Sequence, residues 1–494
     1  MHLKHLIIAA AVCLLLQPAF CAAQISLTIG RAFPLRGEKV TLGARYEGEP
    51  RPTDLRVSFV EVRERLGVAV VVPLGKAEAV AQDDGSLLAG IDWVPEKDGF
   101  HTVRAIATVG GRMLTTEKTI PVVQREVHFV WYGSGLDLKY ASAITPAPKE
   151  PKVQREWRDR GVRLLAWKGV GEAGRLYAAT PEDMAKYWLG FGEADGIAID
   201  EIGNYDRDQV GEPMAKVALD ALAPFKQGKP KAFLAVWHCG SLTTLAANAY
   251  RQNADLVMME CYLNYCRAGF GTHTFQDYID QRVLMARRMD VLQKCVIGFG
   301  ITNNLGGITP AELIGMIEHY RRVAPECPGI AWFMYAGPKP AGGVDAEILR
   351  LADEAAIEYF VKPCLMIQDW EVQFVPGKPG RLCVNVHNIG AMNARDINVA
   401  FYQGHPEQGG KLIGKSFLPY LDTPKGWSKK LDESNPADAK SIAYGINEAV
   451  VPWSPASGYY DIYVRIHSSA NCTVLSDLAH NRVRAPIRTT FTSQ

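Results

Sequence analysis

The sequence has almost no excess of either charge. Its 494 residues carry 54 Lys and Arg against 53 Asp and Glu. Lys4 is the only charged residue among the first 24, so the rest of the chain is formally neutral. A general nucleic-acid-binding protein must neutralise phosphates, and binding to anionic lipid through a basic run also needs an excess of positive charge, so neither class fits. We expect a neutral polymer or a small molecule as the partner.

Long apolar segments are also missing. Near the N-terminus the apolar run Leu6–Leu16 follows Lys4 and precedes the small residues Cys21–Ala23. This three-part pattern is typical of a secretory signal peptide, and its apolar run is too short to span a bilayer. We predict a signal peptide over residues 1–24, and a protein that is secreted or held in the periplasm or at the cell surface. No later segment is apolar enough to predict a transmembrane helix.

Cysteine is sparse for an exported chain. Cys13 and Cys21 leave with the predicted signal peptide, and the bulky Phe20 disfavours a lipid anchor at Cys21. Cys261 and Cys266 lack the spacing and the His companions of a zinc site. A chain of this length folds without bridges, so we expect buried thiols, while pairing of some cysteines in an oxidising compartment stays open.

Motifs for metals, nucleotides and a serine nucleophile are absent as well. The sequence has no His-Glu-x-x-His, P-loop or Gly-x-Ser-x-Gly pattern, and Trp131–Gly135 stands where a dinucleotide fold would carry its glycine-rich turn. A metal-dependent barrel hydrolase, which a chelator would inhibit, is disfavoured by the scarcity of clustered histidine. We predict neither a cofactor nor a bound metal.

Three regions with different rhythms are present. Residues 25–125 show short strand-like runs, such as Lys39–Ala44 and His101–Val109, separated by turn residues and without a helical period. This pattern predicts an all-β sandwich. Residues 363–494 behave alike and predict a second sandwich.

The middle region, residues 126–362, predicts a (β/α)8-type barrel. Apolar strand-like runs recur there at about the length of a β-α repeat, and Thr180-Pro181 and Thr309-Pro310 are strong helix-start signals. Repeated β-α units with apolar strands form a parallel sheet covered by helices, with an open doubly wound sheet as the competing topology. Seven runs are visible, so the eighth strand is either weak, near Leu138–Ile144, or the barrel is irregular. The seven begin near Val127, Val162, Asp195, Lys231, Asp255, Cys295 and Gly329.

Aromatic and polar residues gather where these strands end. Catalytic groups of a barrel lie at the C-terminal ends of its strands. Aromatic faces stack on sugar rings, while carboxylates and amides bind hydroxyl groups, so we predict a carbohydrate cleft. The plainer alternative is that the aromatic residues fill the barrel as core. The candidate substrate-binding residues are Trp131, Tyr132, Trp167, Lys168, Trp237, His238, Tyr262, Asn264, Asn303, Trp332 and Tyr335.

The run Asp195–Glu201 is the sharpest motif. Strand alternation turns Ala198 and Asp200 to the same side, and small residues suit a barrel interior. Asp200 should therefore point inward at the rim, with Glu201 starting the loop above it. By the same alternation Glu260 reaches the rim from a later strand. An ionised acid at the end of an apolar strand is costly unless it is paired or solvated, so the presence of these acids indicates a functional role.

Two carboxyl groups across a rim are the minimum apparatus for cleaving a glycosidic bond. A separation of about 5–5.5 Å predicts retention of configuration, and about 6.5–9.5 Å predicts inversion. We therefore predict an exported glycoside hydrolase with Asp200 and Glu260 as acid/base or nucleophile and Glu201 as the alternative to either. A structural ion pair to Lys168 or an arginine is the competing role for each acid. A different class, a non-catalytic glycan-binding or adhesion protein with a degenerate barrel, stays open.

The strand Asp-Gly-Ile-x-x-Asp-Glu, with a later strand ending in Glu, resembles secreted barrel glycoside hydrolases of the spherulin-4 and endo-α-1,4-polygalactosaminidase type. That resemblance implicates Asp200, Glu201 and Glu260. The strand is also similar to the chitinase signature but departs from it, since Ala198 and Ile202 stand where chitinases carry acids.

Segments of the third region resemble the CARDB family of bacterial β-sandwich modules. The segments that carry this likeness are Val386–Gly390, Ala394–Tyr402, Gly410–Gly414, Gly458–Val464 and Asp477–Asn481. The resemblance implies an adhesion or spacer module without chemistry. The first region resembles a generic bacterial immunoglobulin-like domain.

Overall fold

A computed structural model describes most of the chain, and its described residues fall into two compact units. The first unit takes in the described residues up to Glu96, with Phe100–Pro121 and Arg158–Gly161; the second takes in the remainder. The predicted signal peptide lies outside the described residues, apart from its last two positions. The described ranges are 23–49, 51–65, 67–133, 138–170, 180–202, 211–263, 274–302, 307–334, 343–423, 445–467 and 471–486.

The first region is all-β, as predicted. Two four-stranded sheets have the strand orders β1-β2-β6-β5 and β4-β3-β7-β8. Alternate residues of β7, from His101 to Ala107, are buried, which is the pattern of a sheet with one face in a core. The strands are β1 (Gln24–Ile29), β2 (Val40–Glu47), β3 (Arg56–Arg65), β4 (Val68–Glu78), β5 (Val80–Ala81), β6 (Leu87–Trp93), β7 (Gly99–Val109) and β8 (Arg112–Val122).

The second region is a closed barrel of eight parallel strands in sequence order. The predicted fold class, a central barrel with all-β regions on either side of it in the chain, is confirmed, and the open-sheet alternative is wrong because β16 pairs with β9. The strands are β9 (His128–Tyr132), β10 (Ala143–Thr145), β11 (Arg163–Gly169), β12 (Gly196–Ile202), β13 (Phe233–His238), β14 (Leu256–Cys261), β15 (Cys295–Gly300) and β16 (Gly329–Phe333).

The eighth strand is the short β10. Its three residues lie within one position of the predicted Leu138–Ile144 segment. Ala143 is the Cα partner of Val130 on one side and of Arg163 on the other, so β10 closes the gap between β9 and β11. A strand this short gives little hydrophobic signal, which explains why the sequence shows only seven clear runs.

Helices cover the barrel, and their caps follow the sequence signals. The Thr180 side chain accepts a hydrogen bond from the backbone N–H of Asp183, and Thr309 forms a capping box with Glu312. A π-helical turn, Ile357–Val361, follows the last helix. The helices are α1 (Pro151–Asp159), α2 (Pro181–Leu189), α3 (Gly211–Gly228), α4 (Thr244–Asn253), α5 (Phe275–Arg288), α6 (Pro310–Val323) and α7 (Ala346–Ala356); short 3-10 turns lie at Leu292–Lys294, Asp369–Glu371 and Pro406–Gln408.

Small and aliphatic side chains fill the barrel interior, and larger polar side chains lie at the C-terminal ends of the strands. Strand alternation fixes which residues point inward, because successive side chains project to opposite faces. The interior positions are Val130, Ala143, Leu165, Ala198, Ala235, Leu256, Met258, Val296 and Ala331.

The third region is a two-sheet all-β structure. One sheet contains β18, β19, β17 and β24, with β22 also paired to β19; the other has the order β21-β20-β23-β25. Residues of both sheets, including Val384 and Val464, share one buried core. The strands are β17 (Cys364–Met366), β18 (Gln373–Val375), β19 (Arg381–Asn388), β20 (Ala394–Gln403), β21 (Lys411–Leu421), β22 (Gly445–Pro452), β23 (Gly458–His467), β24 (Thr473–Ser476) and β25 (Leu478–Ala485).

A buried arginine joins the barrel to the third region. Arg321 of α6 is fully buried, and its guanidinium donates to the carbonyl oxygens of Tyr359 at 3.0 Å and Ile389 at 2.5 Å. Arg125 donates to the same Ile389 carbonyl at 2.5 Å. A buried cation is costly unless its donors are satisfied, so these carbonyl groups are needed where they lie. The predicted boundary between residues 362 and 363 stays a prediction.

Two further findings concern the described residues only. No helix among them is both long and apolar enough to cross a membrane. Of the seven described cysteines, all but Cys472 are buried. Cys266 lies outside the described ranges.

Candidate active site

Five side chains meet inside the barrel at the C-terminal ends of its strands. The alternation that buries Ala198 and Met258 in the interior brings Asp200 and Glu260 to the same end, as the sequence predicts. Tyr132, Trp167 and Trp237 surround them through the contacts described next. This end of a parallel barrel is where enzymes of the fold place their chemistry.

Asp200 is held through one of its two oxygens. The hydroxyl of Tyr132 and the indole Nε1–H of Trp167 each donate to Oδ2 of Asp200 at 3.1 Å. The pKa of Asp200 is raised from 3.8 to about 6, chiefly by burial; the nearby carboxylates of Glu201 and Glu260 contribute to the rise, and the two donated hydrogen bonds oppose it. Asp200 is therefore an acid that holds its proton to unusually high pH.

Glu260 is held in the same way by different donors. The indole Nε1–H of Trp237 and the thiol of Cys239 both donate to its Oε2 at 3.1 Å. The residue is only 9% exposed, so these donors replace water at that oxygen. Burial and the Glu260 carboxylate raise the pKa of Cys239, which keeps the thiol protonated and able to donate.

Each carboxyl group has a second oxygen that the described residues leave without a hydrogen-bond donor. Oδ1 of Asp200 and Oε1 of Glu260 accept no hydrogen bond from the described residues, and neither acid forms an ion pair with them. Lys168, the predicted competing partner, donates instead to the carbonyl of Gly190 and lies 4.4 Å from the ring centroid of Tyr187. Within the described ranges, neither Asp200 nor Glu260 is thus held by a structural salt bridge.

Two glycines make room for the two indoles. A Cβ at Gly169 would lie 2.9 Å from the indole of Trp167, and a Cβ at Gly298 would lie 2.8 Å from the indole of Trp237. Gly169 is also the register partner of Asp200, and Gly298 is the partner of Glu260. A glycine beside each acid lets an indole fold over the strand and reach the carboxylate.

Glu201 occupies a strained position at the end of β12. Its φ of 59° lies in the left-handed region, which side chains other than glycine seldom adopt. The pairing of β12 with β13 shifts register between Ile199 and Ile202, so Glu201 lies in an irregular stretch. The electrostatic influence of Glu201 on the pKa of both Asp200 and Tyr132 places all three groups in one neighbourhood.

Aromatic rings line the same end of the barrel. Tyr132 lies 5.6 Å from Trp237 and 5.1 Å from Phe333 between ring centroids, and Tyr262 stacks on Phe333 at 5.4 Å. Trp167 is 36% exposed, which leaves part of its indole open to a ligand. These rings give apolar faces beside the two acids.

The structure does not bring Trp131 and Trp332 to this end. Both are fully buried and lie 5.8 Å apart, and Trp332 also packs on Phe299, which contacts Tyr320 of α6. They point outward into the helix layer because they are one residue out of phase with the interior positions. For these two residues the core alternative fits, and a sugar platform does not.

His238 and Lys168 also point away from the interior. His238 is fully buried, and its Nδ1 lies 2.9 Å from the hydroxyl of Tyr250 in α4. Burial, with a smaller effect from Arg282, lowers the pKa of His238 to about 3, so it is neutral. Its predicted place in the substrate cleft is a mismatch with the structure, as is that of Lys168.

Three predicted residues lie outside the described ranges: Asn264, Asn303 and Tyr335. Two residues of the site were missed from the sequence, Cys239 and Phe333. Alternation from the interior residues Ala235 and Ala331 would have found both, because each lies an even number of positions further along its chain.

Comparisons with known proteins give a likeness in structure only. No protein family description matches the chain, and no curated protein matches it. A β-glucuronidase of Bacteroides uniformis matches at 10% identity and TM-score 0.30, covering 94% of this chain and 61% of its own. A Parabacteroides merdae β-glucuronidase has 11% identity, TM-score 0.29 and coverages of 95% and 65%. A putative β-galactosidase of Bacteroides fragilis has 10% identity and TM-score 0.30, and the match covers 94% of this chain and 73% of the other.

The chain spans about three fifths of the length of the Bacteroides uniformis protein. At such identities and scores these matches assign no residue and no substrate.

Proposed function

We propose that the barrel is a glycoside hydrolase that cleaves a glycan with Asp200 and Glu260. The observation that carries the proposal is the matched setting of these two acids. Each is fixed through one oxygen by two donors, and each keeps the other oxygen at the aromatic-lined end of the barrel.

Asp200 is suited to the role of general acid. Because Oδ2 already accepts two hydrogen bonds, the proton of the neutral acid belongs on Oδ1, where a glycosidic oxygen can receive it. The raised pKa, about 6, keeps a useful fraction of the acid protonated near neutral pH. Protonation of the leaving oxygen then allows the bond to the sugar carbon to break.

Glu260 is suited to the opposite role. Two donors fix Oε2 of Glu260, and Oε1 is left to attack the anomeric carbon or to take a proton from water. Glu201 is the alternative to either residue, because its electrostatic effect reaches Asp200. The charge of the carboxylate partner also helps Asp200 to hold its proton.

The remaining parts of the proposal concern the substrate and its location. Trp167, which is 36% exposed, and Tyr132 offer aromatic faces on which a sugar ring can stack. The predicted signal peptide supports export. The resemblance of the Asp195–Glu201 strand to spherulin-4-type hydrolases supports the same assignment, and the CARDB resemblance of the third region supports an adhesion or spacer module beside the barrel.

The test uses the full chain on a panel of polysaccharides and aryl glycosides. Asp200→Asn and Glu260→Gln should each lower kcat on a polysaccharide by about 100-fold or more. Asp200→Asn should lose much less on an aryl glycoside with a good leaving group, since that group needs no proton.

Asp195→Asn serves as the control. Asp195 lies next to the opposite end of the same strand, where its carboxylate accepts from the backbone N–H of Leu164 at 2.8 Å, so activity should persist. Binding without hydrolysis by the unmodified protein across the panel would replace this proposal with a non-catalytic glycan-binding protein.

A further inference from the structure

The outer face of the sheet β21-β20-β23-β25 has its own cluster of aromatic and basic side chains. Along β23, Ile462 and Val464 point into the core of the third region. Side chains alternate along a strand, so the odd-numbered residues Tyr459, Asp461 and Tyr463 point outward. None of these residues belongs to the barrel or to its two acids.

Tyr459 is the most exposed tyrosine on this face, at 62%. Arg484 of the edge strand β25 is its direct register partner, and Arg482 lies two residues away on the same strand. The guanidinium carbons of Arg482 and Arg484 lie 5.4 and 5.9 Å from the Tyr459 ring centroid. Neither arginine forms an ion pair or a hydrogen bond with a side chain of the described residues.

The acids of this face are already engaged elsewhere. Asp461 is directly opposite Arg482, but its carboxylate lies 3.4 Å from Nε2 of His480. Glu407 accepts from Arg465 at 2.8 Å. Among the described residues, therefore, no acid is bonded to either of the two guanidinium groups beside this exposed aromatic ring, and that combination suits an anionic ligand with an apolar face.

A second ring extends the face along the strand. Tyr463 stacks on His480 at 4.3 Å, and His405 packs against it edge-on at 5.0 Å. Tyr463 follows Tyr459 by four residues, which is about 13 Å along a strand. The length of the face suits an extended chain of several rings better than a single small anion.

We propose that this face, defined by Tyr459, Tyr463, Arg482 and Arg484, binds a polysaccharide that carries carboxylate groups. A sugar ring would stack on Tyr459, and its carboxylate would accept paired hydrogen bonds from a guanidinium group. Single-stranded nucleic acid also combines rings with negative charge, but it requires more cations than the two present here, and the chain as a whole is nearly neutral.

The test is affinity electrophoresis of the full chain in gels containing polygalacturonate. The unmodified protein should be retarded, and fully methyl-esterified polygalacturonate should retard it much less. Tyr459→Ala and the double variant Arg482→Gln/Arg484→Gln should each weaken binding at least tenfold, and added salt should weaken binding by the unmodified protein.

Matched controls come from the opposite edge strand, β21. Phe417→Ala removes an aromatic ring that is 55% exposed, and Lys411→Gln/Lys415→Gln removes two exposed positive charges; both should leave retardation unchanged. Equal loss in all four variants, or no retardation of the unmodified protein, would overturn the proposal, and stronger retardation by poly(dT) would reassign the face to nucleic acid. Asp200→Asn should be retarded like the unmodified protein, which separates this proposal from the hydrolase.

Discussion

Four tryptophans at the ends of the barrel strands divide into two pairs with opposite roles. Trp167 and Trp237 point inward, and each indole donates to one of the two carboxylates at 3.1 Å. Trp131 and Trp332 point outward and are fully buried against each other and the helix layer. The two pairs differ by one position in the alternation of side chains along a strand. The residue types at a strand end therefore do not show which side chains point into the barrel until that alternation is known.

The surroundings of the two pairs differ as well. Each inward indole folds over a glycine, Gly169 or Gly298, on its own or a nearby strand. The outward Trp131 donates instead to the backbone carbonyl of Tyr140 at 3.3 Å. One pair supports the proposed chemistry, and the other supports the fold.

The sharpest contrast is expected in stability. Trp332→Ala should lower the free energy of unfolding by about 3–5 kcal/mol, because it empties a fully buried site between strands and helices. Trp167→Ala should cost far less stability, since 36% of its surface is already exposed, while it should reduce glycan hydrolysis. Urea denaturation and rate measurements on both variants test this. Similar stability losses would contradict the division into two pairs.

A smaller effect is expected at Gly298. Gly298→Ala would place a methyl group 2.8 Å from the Trp237 indole, so the ring must shift and weaken its hydrogen bond to Glu260. We expect about 1–3 kcal/mol of destabilisation together with a drop in kcat. Gly315→Ala in α6 is the control, since a methyl group there meets open space and should be neutral or slightly stabilising. Full activity in Gly298→Ala would argue against a positioning role for Trp237.

The smallest effect is expected in pH dependence. Tyr132→Phe removes a hydrogen bond that favours ionised Asp200, so the pKa of that acid should rise above about 6. If Asp200 must be protonated, the alkaline limb of the pH–rate profile should move to higher pH by less than about one unit. If the alkaline limb of the Tyr132→Phe profile stays in place and the acidic limb is also unchanged, the catalytic proton belongs to a group other than Asp200.

The same pKa predicts a stability effect. Asp200 has a folded pKa of about 6, above its ordinary 3.8, so the neutral acid favours folding at low pH and this contribution is lost as the pH rises through 6. The stability that Asp200→Asn gains over the unmodified protein should therefore be larger at about pH 7 than at about pH 4. Denaturation midpoints at both pH values measure the gain, and a gain of equal size at both would contradict a raised pKa.

Much of the fold could be predicted from the sequence. The start of each long barrel strand lies within two residues of the predicted run, because buried parallel strands are continuously apolar. The caps at Thr180 and Thr309 were also predictable, since their hydrogen bonds involve only neighbouring residues. The three-residue β10 could be anticipated only as a gap in the count.

The site was less predictable for physical reasons. Alternation located Asp200 and Glu260 correctly, but a list of strand-end residues without that alternation wrongly grouped Trp131 and Trp332 with them. The left-handed backbone of Glu201 depends on a register shift between β12 and β13, which no local pattern reveals. The family resemblances of the first and third regions, and the catalytic roles themselves, stay predictions.

The buried Arg321 limits how this protein can be dissected. A chain shortened at residue 362 would keep the guanidinium group but lose Ile389, whose carbonyl accepts its hydrogen bond and that of Arg125. Two cations would then face solvent or an apolar floor without their shared acceptor. Anyone wishing to isolate the barrel should expect poor expression from that cut and should carry the last nine strands along with it.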